Sequence, residues 1–352
     1  MLPASANAKA SSSHPLLSIV LTSYTDKRLK DIFELLESVK AQTYPRIEVV
    51  YVIERSTGLL HLLRSYLKEK AISNVKVIFD SRDLGLSAAR NLGIKNAGGE
   101  IIAFIDDDVV LPPEWAEEVV RTYAMRSDII GVTGPALPLW SDGPIKWLPE
   151  ELYWIIGSTT WYKCNSVKEV RHAWGMNMSF RREAFEVCGG FRMRMSDYPN
   201  KDVAKRMLTT LYHDIVPHED VDFSLRVRRK TGKRILYNPK LAVMHKAKKS
   251  RLTISFIIKE CLHQGCAKRM LTTLYPMNAN MLRREYDLLF RILRDLLPNI
   301  FTHFLRDPFN SWRRFSITMF TLFFLGLGYC SPVFFKLLTR KNARMDAKRR
   351  LK

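Results

Sequence analysis

Apolar runs alternate with amphipathic stretches along the first third of the chain, and the alternation predicts strand, helix, strand, helix. Residues 16–22 are a β-branched apolar run, whereas residues 30–42 place Ile32, Leu35, Leu36 and Val39 at helical spacing. Residues 47–53 and 75–79 read as further strands. Residues 59–71 and 86–96 read as helices, the second stopped by Gly98 and Gly99. A fourth strand at residues 101–105 is apolar throughout and runs directly into Asp106, Asp107 and Asp108. Strands this uniformly apolar are covered on both faces, so the pattern predicts an α/β fold with a Rossmann-like, mostly parallel sheet flanked by helices. Neither GxGxxG nor GxxxxGK[ST] occurs in this half, which removes support for a dinucleotide cofactor or P-loop chemistry.

Beyond Pro112 the periodicity loosens, and Trp140, Trp147, Trp154, Trp161 and Trp174 stud a Pro- and Gly-rich stretch. Such aromatics suit an acceptor groove or a second layer packed over the sheet. Residues 204–212 and 267–275 are the same nonapeptide, AKRMLTTLY, which predicts two basic, amphipathic turns. Residues 236–244 form another apolar run, ended by His245. Near the C-terminus, residues 315–335 carry no charge between Arg314 and Lys336. As a helix they would reach about 32 Å, enough to cross a bilayer core. Residues 282–305 mix Arg with Leu, Ile and Phe as an interfacial helix does. The division expected is a disordered leader (1–15), an α/β domain (16–250), a basic amphipathic helical region (251–312), a transmembrane or re-entrant helix (313–336) and a basic tail (337–352).

Charge sharpens the C-terminal picture. Of the net +21, residues 246–352 hold +16 and residues 1–245 hold +5. A basic segment of this kind favours an anionic membrane surface, so contact with the membrane is expected through residues 282–352, and nucleic acid is not expected as a partner. The five cysteines show no paired spacing, which points to a reducing setting. Cys261, His263 and Cys266 lack a second ligand pair and read as helix-face packing.

Carboxylates gathered at the carboxyl end of a sheet strand repel one another unless a cation joins them, and open parallel sheets bind ligands there. Hard oxygen donors suit Mg²⁺ or Mn²⁺ shared with substrate phosphates. Downstream, Glu219 and Asp220 open a helical pattern, where acids also serve as ordinary N-terminal residues. Asp222 and Arg226, one turn apart, predict a helical ion pair.

Read in order, Glu54-Arg55-Ser56-Thr57, then residues 85–91 (GLSAARN), the Asp triplet, residues 174–182 (WGMNMSFRR), Gly189-Gly190-Phe191 and residues 218–222 (HEDVD) resemble the inverting family 2 glycosyltransferases of the GT-A fold. The resemblance covers roughly residues 17–250. It implies a metal-dependent enzyme that moves a sugar from a nucleoside-diphosphate sugar to an acceptor hydroxyl. By the same resemblance Asp106 and Asp108 match the outer positions of the family's DxD, Asp108 as metal ligand and Asp106 for the metal or the ribose, with Asp107 secondary. Thr22, Ser23, Tyr24 and Glu54 match the nucleotide pocket, and Asp83 and Arg90 match the segment that closes over it. Where the family has two acids before the turn, this chain has Ile53 and Glu54. Trp174, Gly175 and Asn177 match the acceptor or donor-sugar region. Asp220, beside Glu219, matches the general base, and His245 a further metal ligand. The membrane segments make a lipid-linked glycan the expected acceptor on the cytosolic face. A polyprenyl-phosphate sugar synthase, or a non-catalytic basic scaffold, would share much of this pattern.

Overall fold

The expected strands form with no end shifted by more than one residue. In a computed structural model describing residues 14–141, 143–194, 197, 218–275 and 281–330, the order is β1 (Leu17–Ser23), α1 (Leu29–Lys40), β2 (Ile47–Glu54), α2 (Thr57–Glu69), β3 (Val75–Asp80), α3 (Leu86–Asn96) and β4 (Ile101–Ile105). Helix α1 buries Ile32, Leu35, Leu36 and Val39, the stripe its spacing predicts. Helix α2 is capped by Ser56, whose hydroxyl accepts the amide of Leu59 at 3.2 Å. Glycine is required ahead of α3, where Gly85 has φ +83°.

The chain divides into two compact units. The first holds residues 1–134, 167–190 and 224–241, and the second holds the remainder. The first unit is built on an eight-stranded sheet in the order β3-β2-β1-β4-β9-β6-β10-β8. Here β6 is Ile129–Thr133, β8 Lys168–Glu169, β9 Asn177–Arg181 and β10 Arg234–Tyr237. Strands β1 to β4 run parallel, with Leu21 opposite both Tyr51 and Ile105. Strand β9 inserts antiparallel between β4 and β6, setting Asn177 opposite Ile105. That reversal brings the turn before β9 to the edge where β1 to β4 end. The core of the sheet is fully covered: Leu17, Ile19, Leu21, Ile53, Phe104 and Phe180 are at most 1% exposed. Each such side chain contributes roughly 1.5–3 kcal/mol by burial.

The region beyond Pro112 is more regular than its sequence predicts. Strand β5 (Val109–Val110) precedes α4 (Trp115–Ala124), which is followed by β6 and then β7 (Ala136–Trp140). The apolar run at 236–244 is not one strand. It breaks at Asn238 and Pro239, where Asn238 Oδ1 accepts the amide of Lys240 at 3.0 Å and Pro239 has no N–H for a ladder. His245 therefore lies inside β11 (Val243–Ala247), opposite Pro138 of the parallel strand β7.

In the second unit, Leu148, Leu152, Ile155, Ile257, Ile292 and Ile300 form one apolar cluster. Trp140, Trp147 and Trp154 pack against it, so for these three the packing reading holds. Helix α5 (Arg182–Cys188) belongs to the first unit, and only the start of α6 (Glu219–Thr231) belongs to the second, where α7 (Ile254–Leu274) carries the second AKRMLTTLY copy with Ala267, Met270 and Leu271 buried. The first copy, residues 204–212, lies outside the described residues. The cysteines of α7 are packing residues: Cys261 and Cys266 are buried, and Cys266 Sγ donates to the Gly328 carbonyl at 3.0 Å. Helices α8 (Arg283–Arg291), α9 (Leu297–His303) and α10 (Pro308–Cys330) complete the unit. Among the described residues no helix is long and apolar enough to cross a membrane. Residues 331–335 of the charge-free run and the basic tail lie outside the described residues.

Candidate functional site

Because β1 to β4 end together, the acidic triplet sits beside Thr22, Ser23 and Tyr24, Glu54 and the loop after β3. The three aspartates are not equivalent. Asp107 is 4% exposed and committed to the protein: Ser23 Oγ donates to Oδ2 at 2.8 Å and Arg28 Nη1 to Oδ1 at 2.7 Å. Ser23 Oγ is also 2.9 Å from the Tyr51 hydroxyl. Burial pushes the Tyr51 phenol well above its usual range, so the group stays neutral. Asp108 is 1% exposed, with Arg28 Nη1 3.8 Å from its Oδ2. Asp106 is half-open, its side chain 37% exposed, and Arg90 Nη2 lies 3.3 Å from Oδ1.

Arg90 is itself 3% exposed. It stacks over the Phe104 ring at 5.9 Å and donates to the Gly175 carbonyl at 3.1 Å. One buried guanidinium thus fixes Asp106 relative to the 174–177 turn, which the Asn177 amide closes onto the Trp174 carbonyl at 2.9 Å. Trp174 is 7% exposed and packs edge-on to Tyr237. Asn177 is a framework residue. Its Oδ1 accepts the Trp115 indole N–H at 3.1 Å, and its Nδ2 donates to the Leu241 carbonyl at 2.7 Å.

Glu54 is 7% exposed and accepts the Gly85 amide at 3.1 Å. Burial raises its pKa, and the amides of Gly85 and Leu84 only partly offset that. Its geometry shapes the loop at 83–85. Above it, Arg55, with φ +60°, pairs with Asp83 at 2.5 Å and lies 5.5 Å over the Tyr24 ring. Tyr24 is 49% exposed, an open aromatic surface.

In the second unit, Glu219 and Asp220 occupy the first turn of α6, where the amide dipoles favour carboxylates. His218 just before them has φ +54°, and its ring stacks on His263 at 5.7 Å. Asp222 and Arg226 both have partners beyond their own helix. Arg192 Nη1 lies 2.8 Å from the fully buried Asp222, whereas Arg226 donates to the carbonyls of Cys188 and Gly190 at 2.9 and 2.8 Å. His245 is 2% exposed beside Gly157, whose φ is +84°. A Cβ on Gly157 would lie 2.6 Å from the imidazole Cε1, so this glycine makes room for the ring.

Three contributors escape sequence reasoning. Arg28 pairs with a residue 79 positions away, and Gly157 marks itself only by its backbone. Gly190 sits in a quoted motif, but the reason for it is steric, since a Cβ there would overlap the Asn91 side chain.

The acidic donors at the end of β4 fit a hard divalent cation. Asp108 is a buried carboxylate, and Asp106 is one open to incoming ligands. Residues 18–189 match the family model described as Glycosyl transferase family 2. The chain is 29% identical over 286 residues to Glucosyl-dolichyl phosphate glucuronosyltransferase of Haloferax volcanii, spanning 81% of this chain and 86% of that one. Among solved structures, mannosyltransferase PcManGT from Pyrobaculum calidifontis, in complex with GDP-Man and Mn²⁺, has a TM-score of 0.56 at 16% identity, covering 90% of this chain and 88% of that chain. GalNAc-T7 with UDP, GalNAc and Mn²⁺ has a TM-score of 0.50 at 17% identity, covering 74% of this chain and 48% of that chain. At such identities the likeness shows the fold, a mixed α/β sheet of the GT-A kind. The ordered motifs, the family match and the fold together make the chain a family 2 glycosyltransferase.

Proposed function

We propose that the chain is a metal-dependent, inverting, membrane-associated transferase that moves a sugar from a nucleoside-diphosphate sugar to a hydroxyl of a lipid-linked glycan on the cytosolic face. The observation that carries the acceptor is the likeness to the Haloferax protein, whose name places a glycosylated dolichyl phosphate before the transferase and whose sequence aligns over most of both chains.

The donor's nucleoside lies along the ends of β1 to β3, with Tyr24 offering its ring to the base and Glu54 holding the loop that carries Asp83. Asp106, Asp108 and His245 are three side chains able to hold a metal ion, and the reading assigns them to it. A divalent ion so held supplies Lewis-acid neutralisation of the leaving diphosphate. Mn²⁺ in the two structural neighbours supports a divalent ion and leaves Mn²⁺ and Mg²⁺ both open. Asp220 takes the proton from the acceptor hydroxyl as it attacks opposite the leaving group, and Glu219 stands beside it. The Trp174-Gly175 turn, fixed by Arg90, borders the sugar.

Membrane attachment rests on the second unit's surface. Phe290, Leu293, Phe301, Leu305, Phe309 and Trp312 are 53–93% exposed on segments that also carry Arg291, Arg294, Arg306 and Arg313. Exposed aromatics among arginines suit an in-plane position at anionic headgroups.

The test is transfer from UDP-, GDP- and dTDP-sugars by detergent-solubilised protein to two acceptors, a glycosylated polyprenyl phosphate and a bare one. Product from the glycosylated lipid alone supports the proposal. Product from bare lipid phosphate alone replaces it with a polyprenyl-phosphate sugar synthase.

A further inference from the structure

Arg28 stands on the short turn Asp26–Arg28 that follows β1, capped by Thr25 Oγ1 accepting the Lys27 amide at 3.3 Å. Its guanidinium is 31% exposed, and one nitrogen lies 2.7 Å from Asp107 and 3.8 Å from Asp108. Asp107, held from its other side by Ser23, fixes that position. The protein therefore keeps a permanent positive charge against the buried carboxylate that the metal reading makes a ligand.

Resting on that reading, we propose that Arg28 is the resident counter-cation of Asp108 and the contact for the donor's diphosphate, with Asp107 acting through Arg28 as a positioning residue. A cation a few ångströms from Asp108 lessens the attraction for a second cation, so Arg28 weakens metal binding to the free protein. A guanidinium presents planar, paired donors that match phosphate oxygens, so the same group strengthens binding once the metal arrives with a diphosphate. Together these two effects favour the metal–nucleotide complex over the metal alone. They also account for a middle aspartate whose oxygens are both taken up within the protein.

Calorimetry on the full chain in detergent reads both effects. Mn²⁺ is titrated without nucleotide, and UDP and GDP are then titrated with Mn²⁺ present. Arg28→Gln is expected to bind Mn²⁺ on the order of tenfold more tightly and the nucleoside diphosphate on the order of tenfold more weakly, two shifts of opposite sign. Arg28→Lys keeps the charge but not the paired donors, so it retains wild-type Mn²⁺ affinity and loses diphosphate affinity. It carries the test if Arg28→Gln does not fold. Unchanged or weaker Mn²⁺ binding by Arg28→Gln, or undiminished diphosphate binding by either variant, overturns the proposal. Asp108→Asn separates the two levels. If it binds Mn²⁺ as well as wild type does, or if wild type binds none, the metal reading itself fails and this inference falls with it.

Discussion

Tyr275 donates its hydroxyl to the carboxylate of Asp222 across 2.5 Å, although 53 residues separate them. Asp222 is fully buried and also receives Arg192 at 2.8 Å, and it lies two residues beyond Asp220 on the same helix. The end of α7 and the start of α6 are thus joined through one buried side chain. Tyr275→Phe removes a hydrogen bond to a charge, which is worth about 1.5–3 kcal/mol. Urea denaturation is expected to show that loss. Steady-state transfer is expected to show kcat falling more than KM changes, because the turn holding Asp220 is loosened while the donor pocket is intact. Wild-type stability in the variant would contradict the joint.

Asn177→Ala is expected to destabilise the first unit by roughly 2–4 kcal/mol, since it leaves the Trp115 indole N–H and the Leu241 carbonyl buried without this partner. A denaturant midpoint close to wild type would mean that the amide is dispensable to the framework.

The parallel strands were legible because nothing competes with their pattern: residues 47–53 and 101–105 are too short and too apolar for a surface helix. Strand β9 was visible only as part of a motif, because Asn177–Arg181 is five residues long and its antiparallel insertion depends on partners distant in the chain. Helix α4 has a clear period of its own, yet it sits in a Pro- and Trp-rich stretch that masks it. The acidic triplet was legible as the end of a sheet strand, and it follows β4 directly. Its division of labour could not be read, because that depends on Ser23 and Arg28 reaching Asp107 from 84 and 79 positions away.

Glu54 gives a pH test. Its folded pKa lies above the ordinary value of 4.5, with burial the largest cause. Its contribution to stability is therefore complete below that ordinary value and declines as pH rises through the folded one. Glu54→Gln can still accept the Gly85 amide but does not ionise. The thermal midpoint of Glu54→Gln minus that of wild type is expected to be more positive at pH 7 than at pH 4. A difference that is flat or falls with pH would rule out a raised carboxyl.

Burial pushes the Cys266 thiol up to about 11 and, with Glu260 adding to it, the Cys261 thiol up to about 12. Thiolate is the reactive form, so neither should alkylate in the native protein. Iodoacetamide labelling followed by peptide mass mapping is expected to mark exposed Cys330 readily and to reach these two only after denaturation. Native labelling of Cys266 would show that α7 and α10 separate in solution.

The central claim is that Asp108 holds a divalent ion for transfer and Asp220 accepts the acceptor's proton. The most direct measurement is Mn²⁺-dependent sugar transfer to a glycosylated polyprenyl phosphate by wild type, Asp108→Asn and Asp220→Asn, with Mn²⁺ and nucleoside-diphosphate binding measured on the same samples. The account predicts transfer abolished by chelator and reduced on the order of 10²-fold or more in both variants. Metal binding should be lost only in Asp108→Asn, and nucleotide binding should be retained in Asp220→Asn. Transfer that survives chelation, or an Asp220→Asn enzyme as active as wild type, would contradict it.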